Sequence, residues 1–310
     1  MNDNTRIKII KTQSDLSNFF GIPNAKLKKI KNDQDSFQRE IHLMKKNGGL
    51  RVVYDIWYPA KKEFVKKIND FLQRNHSFSE HVQGFVKNKN IKTNAEKHLG
   101  KKIIINADIE NFFESVNIDD VFQIFHALKF NEEHSYFLAE TVTLNDKLVQ
   151  GFSTSPILAN IFMKEVDIDF LKLAQDKGYV YTRYADDLTF STNGIVPLSF
   201  EEIESILNKK KLSLNTKKNK IQKKGGNQYV TGLTVCDLKQ PRLPRYIKKN
   251  LRLELYYVKK FGLESHCKRT GNQQMTSLKF ICKIEGWAAY AESIEPDFAR
   301  FLMNELGEIV

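Results

Sequence analysis

Apolar and polar positions alternate through FQREIHLMKKNGGLRVVYDIWYP, residues 37 to 59, on both sides of KKNGG, and that period of two predicts a β-hairpin with its glycines at the turn. Ahead of it, DLSNFFGIPNAKLKKIKN (15–32) reads as two short helices broken at GIPN, where Gly21 and Pro23 punctuate and Leu27 and Ile30 resume helical spacing. A DNA-binding helix-turn-helix is one use of such a pair; a structural pair with its lysines outward is the plainer one. Behind the hairpin, KKEFVKKINDFLQRN places Phe64, Ile68, Phe71 and Leu72 on one helical face. KIIINA (102–107) is a strand of the buried type that runs into DIENFFESV, and a helix is expected from about Asn117. In GFSTSPILANIFMKEVD, Ser155 is the expected N-cap and Pro156 the first helical residue, with Ile157, Leu158, Ile161 and Phe162 on the buried side. PRLPRYIKKNLRLELYYVKKFG predicts a helix with two stripes: Ile247, Leu251, Leu255 and Val258 on one, and Arg245, Lys248, Lys249, Arg252, Tyr256 and Lys259 on the next. There is no internal repeat and no low-complexity tail.

Composition narrows the partners. The 310 residues, 41% of them hydrophobic, suffice for one large or two modest domains and exclude a disordered chain. Lys and Arg number 49 against 37 Asp and Glu, a formal charge of +12, which favours a polyanion, nucleic acid first. A membrane surface is the rival polyanion, but no apolar run is long enough to span a bilayer and the opening MNDNTRIKII is no signal peptide, so a soluble, cytoplasmic protein without a membrane partner is expected. Cys236, Cys267 and Cys282 lie far apart without a C-x-x-C pair; ordinary buried or half-buried thiols are expected, not a disulfide framework or zinc site.

Three aspartates carry the candidate chemistry. In YTRYADDLTF (181–190), Asp186 and Asp187 sit side by side between strand-like runs, and a hydrated hairpin tip would account for them. Asp108 has no such excuse: it ends an apolar strand, where a lone charge is costly unless something neutralises it. One chemistry explains all three. Two divalent cations about 3.5–4 Å apart activate an attacking hydroxyl and steady the leaving oxygen of an in-line displacement, and aspartates are the hard-oxygen ligands that hold them. Magnesium suits best, since substrate phosphates and water complete its shell. Nucleases and phosphatases use the same device.

The sequence resembles the reverse transcriptases at this point. YADD (184–187) resembles their catalytic hairpin, ADIENFFESV (107–116) their first palm motif, and QGFSTSP (150–156) the motif that follows. NAEKH (94–98) and VTG (230–232) are similar to the Asn-Ala-x-x-His and Val-Thr-Gly elements of bacterial retron enzymes. The resemblance covers nearly the whole chain from about residue 36. It implies an α+β right-hand polymerase fold: an N-terminal helical region over 1–35, fingers and palm interleaved over 36–235, and a thumb over 236–310.

The same resemblance implies roles. Asp108 and Asp186 would ligate two magnesium ions, Asp187 would support them, and the Ile109 carbonyl would be a further ligand. Phe113, five positions after Asp108, would be the steric gate against a ribose 2′-hydroxyl, with a core aromatic as its other reading. Gln150 and Gly151 would floor the nascent base pair, Arg51 would meet the incoming triphosphate unless it is a solvated surface charge, and Lys218 would steady the departing pyrophosphate. Asn94, His98, Val230, Thr231 and Gly232 would recognise RNA, with a structural use open for Asn94 and His98 and a tight turn for Gly232. The basic stripe Arg245, Lys248, Lys249, Arg252 and Lys259 would track a duplex backbone, a solvated face being the alternative.

Retron membership implies further partners: a cognate structured non-coding RNA and its branched DNA product, primed from an internal guanosine 2′-hydroxyl, deoxynucleoside triphosphates, an accessory effector in anti-phage defence, and host RNase H, since the chain stops soon after the thumb. A diversity-generating or intron-type reverse transcriptase and a non-catalytic RNA-binding scaffold are the alternatives. The former sits poorly with NAEKH, and the latter has no use for three clustered acids.

Overall fold

The computed structural model describes residue 7 and residues 10–33, 36–45, 48–269 and 276–309. Along them the chain forms α1 (Gln13–Phe20), α2 (Asn24–Asn32), β1 (Gln38–Met44), β2 (Leu50–Ile56), α3 (Pro59–Asn75), α4 (Ile91–Glu96), β3 (Ile103–Asp108), α5 (Ile118–Ala127), α6 (Glu132–Val142), α7 (Ser155–Phe162), α8 (Lys164–Lys177), β4 (Val180–Tyr184), β5 (Asp187–Thr192), α9 (Phe200–Asn208), β6 (Lys220–Lys223), β7 (Tyr229–Val230), β8 (Leu233–Thr234), α10 (Arg245–Phe261), α11 (Leu263–Arg269), α12 (Ser277–Glu292) and α13 (Pro296–Gly307). Part of the expected first turn, Lys46 and Asn47, and parts of the stretches expected as N-terminal region (1–35) and thumb (236–310) lie outside the described residues.

Local chemistry sets many of these boundaries. A reciprocal capping box opens α1 (Thr12 with Asp15), α5 (Asn117 with Asp120) and α9 (Ser199 with Glu202), each pair satisfying two backbone N–H groups that the helix leaves unbonded. Ser155 corrects one expectation. It is the first residue of α7, not its cap, because its hydroxyl donates to the Val149 carbonyl at 2.7 Å; Thr154 stands at the cap position, and Ile161 is only half-buried. The cysteines correct another, since Cys236 and Cys282 are exposed and only Cys267 is buried.

The chain divides into two compact units, one of residues 1–87, 107–188 and 196–219, the other of 88–106, 189–195 and 220–310. In the first, β1 and β2 pair antiparallel with Gln38 opposite Ile56 and Met44 opposite Leu50. Its interior is rich in rings: Phe20 packs on Phe64 (5.3 Å between centroids) and Phe71 (5.9 Å), Phe71 on Phe130, and Phe64 on Phe137. The apolar face expected of residues 61–75 is the buried face of α3. In the second, Leu251, Leu255 and Val258 of α10 join Phe280, Ile284, Ala288, Phe298 and Leu302 of α12 and α13 in one core, with Ile104, Val230 and Leu233.

The strands bearing the aspartates belong to a four-stranded sheet of order β4-β5-β3-β6, in which β3 and β6 are antiparallel and Ile103 faces Lys223. Among the described residues no helix is long and apolar enough to cross a membrane.

Candidate active site

The first unit gathers the three aspartates. β4 and β5 form a hairpin whose two-residue turn is Ala185 and Asp186, with Ala185 in the left-handed region at φ 57°. Asp108 ends β3, and the backbone ties the two places together: the Ile109 N–H donates to the Asp186 carbonyl at 3.0 Å. The Asn215 N–H donates to the Asp108 carbonyl at 2.8 Å, which brings the 213–218 turn alongside. From that turn Lys218 reaches the Asp108 carboxylate, Nζ to Oδ2 2.8 Å.

The electrostatics are those of crowded acids. Burial, then the Asp108 charge, raises the Asp186 carboxyl above its ordinary range, while Lys218 and Arg51 pull the other way. Asp187 keeps a water-facing side, yet the protein packed around it, followed by Asp186 and Asp108, pushes its carboxyl up to about 7. Desolvation works against the Lys218 ammonium, and the hydrogen bond to Asp108 overrides it, so that pKa is raised and the lysine stays charged. Among the described residues no group of three or more His, Cys, Asp or Glu side chains is drawn together tightly enough to hold a metal ion. The donor set nevertheless fits a hard divalent cation, whose charge would relieve the repulsion that raises Asp186 and Asp187.

Around the acids stand the other expected residues. Phe112 is buried in the core, whereas Phe113 is half-buried, 5.5 Å from it between ring centroids. Phe85, which the sequence did not single out, faces Phe113 at 6.2 Å, half exposed and at φ 59°. Arg51 is exposed on β2. The next turn of that hairpin strand receives the 150–151 segment: the Tyr54 N–H donates to the Gln150 carbonyl at 2.8 Å, and a Cβ on Gly151 would fall 2.1 Å from the Tyr54 carbonyl oxygen. Only glycine fits there, and its φ of 112° agrees.

The residues expected to touch nucleic acid divide sharply. Asn94, His98 and Val230 are buried in the second unit. His98 Nδ1 lies 2.7 Å from Ser191 Oγ, and burial, then Lys101, pushes its pKa down to about 3. Asn94 donates to the Thr231 hydroxyl at 3.5 Å, and that hydroxyl donates to the Ile91 carbonyl at 3.0 Å. The two elements thus form one joint, with Thr231 and Gly232 as the two-residue turn between β7 and β8. Part of the basic stripe is engaged within the second unit, although Arg252 and Lys259 stay exposed and Lys248 is half-buried. Lys248 pairs with Glu295 at 2.9 Å, Lys259 with Glu305 and Glu308 at 2.8 and 2.7 Å, and Arg252 lies over the rings of Phe298 and Phe301. Arg245 and Lys249 are exposed on α10 as well.

A family model described as "Reverse transcriptase (RNA-dependent DNA polymerase)" matches residues 43–259. The chain is 28% identical over 279 residues to the Retron Ec86 reverse transcriptase of Escherichia coli, covering 88% of this chain and 82% of that one. It is 31% identical over 280 residues to the Retron Ec73 reverse transcriptase of the same organism, covering 83% of each. Among solved structures, an apo telomerase from Candida tropicalis superposes with a TM-score of 0.48 at 12% identity, over 74% of this chain and 60% of that one, too slight a likeness to carry an argument. The chain belongs to the reverse transcriptases, RNA-directed DNA polymerases of right-hand fold with fingers, palm and thumb, and within them to the retron enzymes. Membership brings an RNA template and nucleotide substrates.

Proposed function

We propose that this retron reverse transcriptase copies part of a structured non-coding RNA into branched, multicopy single-stranded DNA, starting from an internal guanosine 2′-hydroxyl, and that the product works with an accessory effector in anti-phage defence. The observation that carries the catalytic part is the meeting of Asp108, Asp186 and Lys218 around the Ala185–Asp186 turn. The same proposal takes in a cytoplasmic location, removal of copied RNA by host RNase H, and the division into 1–35, 36–235 and 236–310.

Asp108, Asp186 and the Ile109 carbonyl would hold two magnesium ions, with Asp187 in support; when bound, these supply Lewis-acid activation of the attacking hydroxyl and charge neutralisation at the leaving oxygen. The chain's own residues do the rest. Lys218, kept protonated beside Asp108, is placed to offer a proton or a positive charge to departing pyrophosphate. Arg51 offers a planar fork to the triphosphate from β2. Gly151 lets the β2 backbone and the 150–151 segment come together beneath the nascent pair, and Phe113, backed by Phe112, fills the space of a 2′-hydroxyl. Arg245 and Lys249 follow the duplex backbone, while Thr231 and Gly232 offer the β7–β8 turn to RNA.

The test is co-expression with the genomic RNA region upstream, with and without Asp186→Asn plus Asp187→Asn. The expected product is a short DNA that resists RNase, is shortened by debranching enzyme and depends on the aspartates. DNA made only from an external primer would remove the self-priming proposal and leave reverse transcription standing.

A further inference from the structure

Behind the Ala185–Asp186 turn lies a buried polar network that the chemistry above does not use. Arg183, on β4, is wholly out of solvent, and its guanidinium makes four hydrogen bonds. Nε donates to Asp167 Oδ1 at 2.8 Å and Nη2 to Asp167 Oδ2 at 2.7 Å, a two-pronged pair with α8. Nη1 donates to Asn160 Oδ1 of α7 at 2.9 Å and to the Ala185 carbonyl at 3.2 Å. Tyr181 completes the set by donating its hydroxyl to Asp167 Oδ1 at 2.8 Å.

The network continues through the backbone into a second segment. The Arg183 carbonyl accepts from the Gln83 N–H at 2.8 Å, and Asn160 Nδ2 donates to the Gly84 carbonyl at 3.0 Å. These bonds press residues 83–84 against the turn so closely that a Cβ on Gly84 would stand 2.3 Å from the Ala185 nitrogen. The next residue, Phe85, is the one whose ring faces Phe113.

We propose that Arg183 is the positioning residue of the Asp186–Asp187 turn, fixing the Ala185 carbonyl and with it the aim of the Asp186 carboxylate, with Asp167 and Asn160 holding its fork. This rests on the reading of Asp186 as a metal ligand of the reaction. Two physical points support it. A buried ion pair is a poor way to stabilise a fold, since apolar side chains of like volume do as well or better, so its presence here calls for a geometric reason. Ala185, a residue with a Cβ, is held in a left-handed conformation that needs outside support, and a planar guanidinium with five donors is the one side chain that spans a carboxylate, an amide and a main-chain carbonyl together.

The test uses two variants beside the wild type and Asp186→Asn, all as the full chain. Arg183→Lys keeps a charge for Asp167 but cannot make the four bonds at once; Arg183→Met with Asp167→Leu removes both charges and keeps the volume. Extension of a DNA primer on an RNA template is measured with varied deoxynucleotide, together with thermal unfolding. The expected result is cooperative unfolding in both variants, kcat lowered at least tenfold and KM within about twofold of wild type. Full kcat in a folded variant overturns the positioning role, and so does loss of cooperative folding in both, which would make the network a support of the fold alone. Full activity in Asp186→Asn would instead sink the underlying reading of the site.

Discussion

At the scale of single residues, the two adjacent phenylalanines after Asp108 show what sequence can and cannot assign. The resemblance to reverse transcriptases singled out Phe113, with a core aromatic as its other reading, and the structure buries Phe112 and leaves Phe113 half-buried beside Phe85. Phe113→Val should therefore admit ribonucleotides: the preference for deoxynucleotide over ribonucleotide, read as a ratio of kcat/KM values, should fall by roughly 10- to 100-fold with little change in melting temperature. An unchanged ratio would return Phe113 to the core. The three aspartates were legible because charges at strand ends demand a reason. Arg183, Asp167 and Phe85 were not, because an arginine before a turn or an aspartate in a helix reads as ordinary surface until nonlocal packing removes the solvent around it.

At the scale of elements, periodicity found α1, α2, α3, α10 and the first hairpin, since each turns on neighbours a few positions apart, and left α6, α9, α12 and α13 unassigned. It could not find the joint between α4 and the β7–β8 turn, whose Asn94 and Thr231 stand 137 positions apart. Nor could it tell which lysines on α10 are already spoken for, because Glu295, Glu305 and Glu308 come from further along the chain. That division predicts different outcomes along one stripe. Arg245→Ala and Lys249→Ala should each lower the slope of log affinity against log salt for an RNA–DNA duplex by about 0.7–0.9. Lys259→Ala should leave that slope nearly unchanged and act on thermal unfolding instead. Wild-type slopes in both Arg245→Ala and Lys249→Ala would show that α10 does not follow a phosphate backbone.

At the scale of the whole molecule, buried His98 ties stability to acidity. Its folded pKa, about 3, lies below the usual 6.5, so as pH falls through 6.5 the unfolded chain takes up a proton that the folded one refuses. Stability should drop by about 1.4 kcal/mol per pH unit from this group between pH 6.5 and its folded value. Urea unfolding of wild type and His98→Gln at pH 7.5 and 5.0 checks the sign: the wild type should lose more on acidification, and parallel losses would discharge His98 from the role.

The division of the chain has a consequence for synthesis. Each compact unit is assembled from three separated stretches, and the chain passes from one to the other five times, the last at residue 219. A ribosome cannot therefore release a finished first unit and then begin the second. The stretches 88–106 and 189–195 must wait, unpartnered by the rest of their own unit, until translation has gone past residue 220. The enzyme is in this sense born late, its two halves maturing almost together, and no single cut in the gene would yield both as separate pieces.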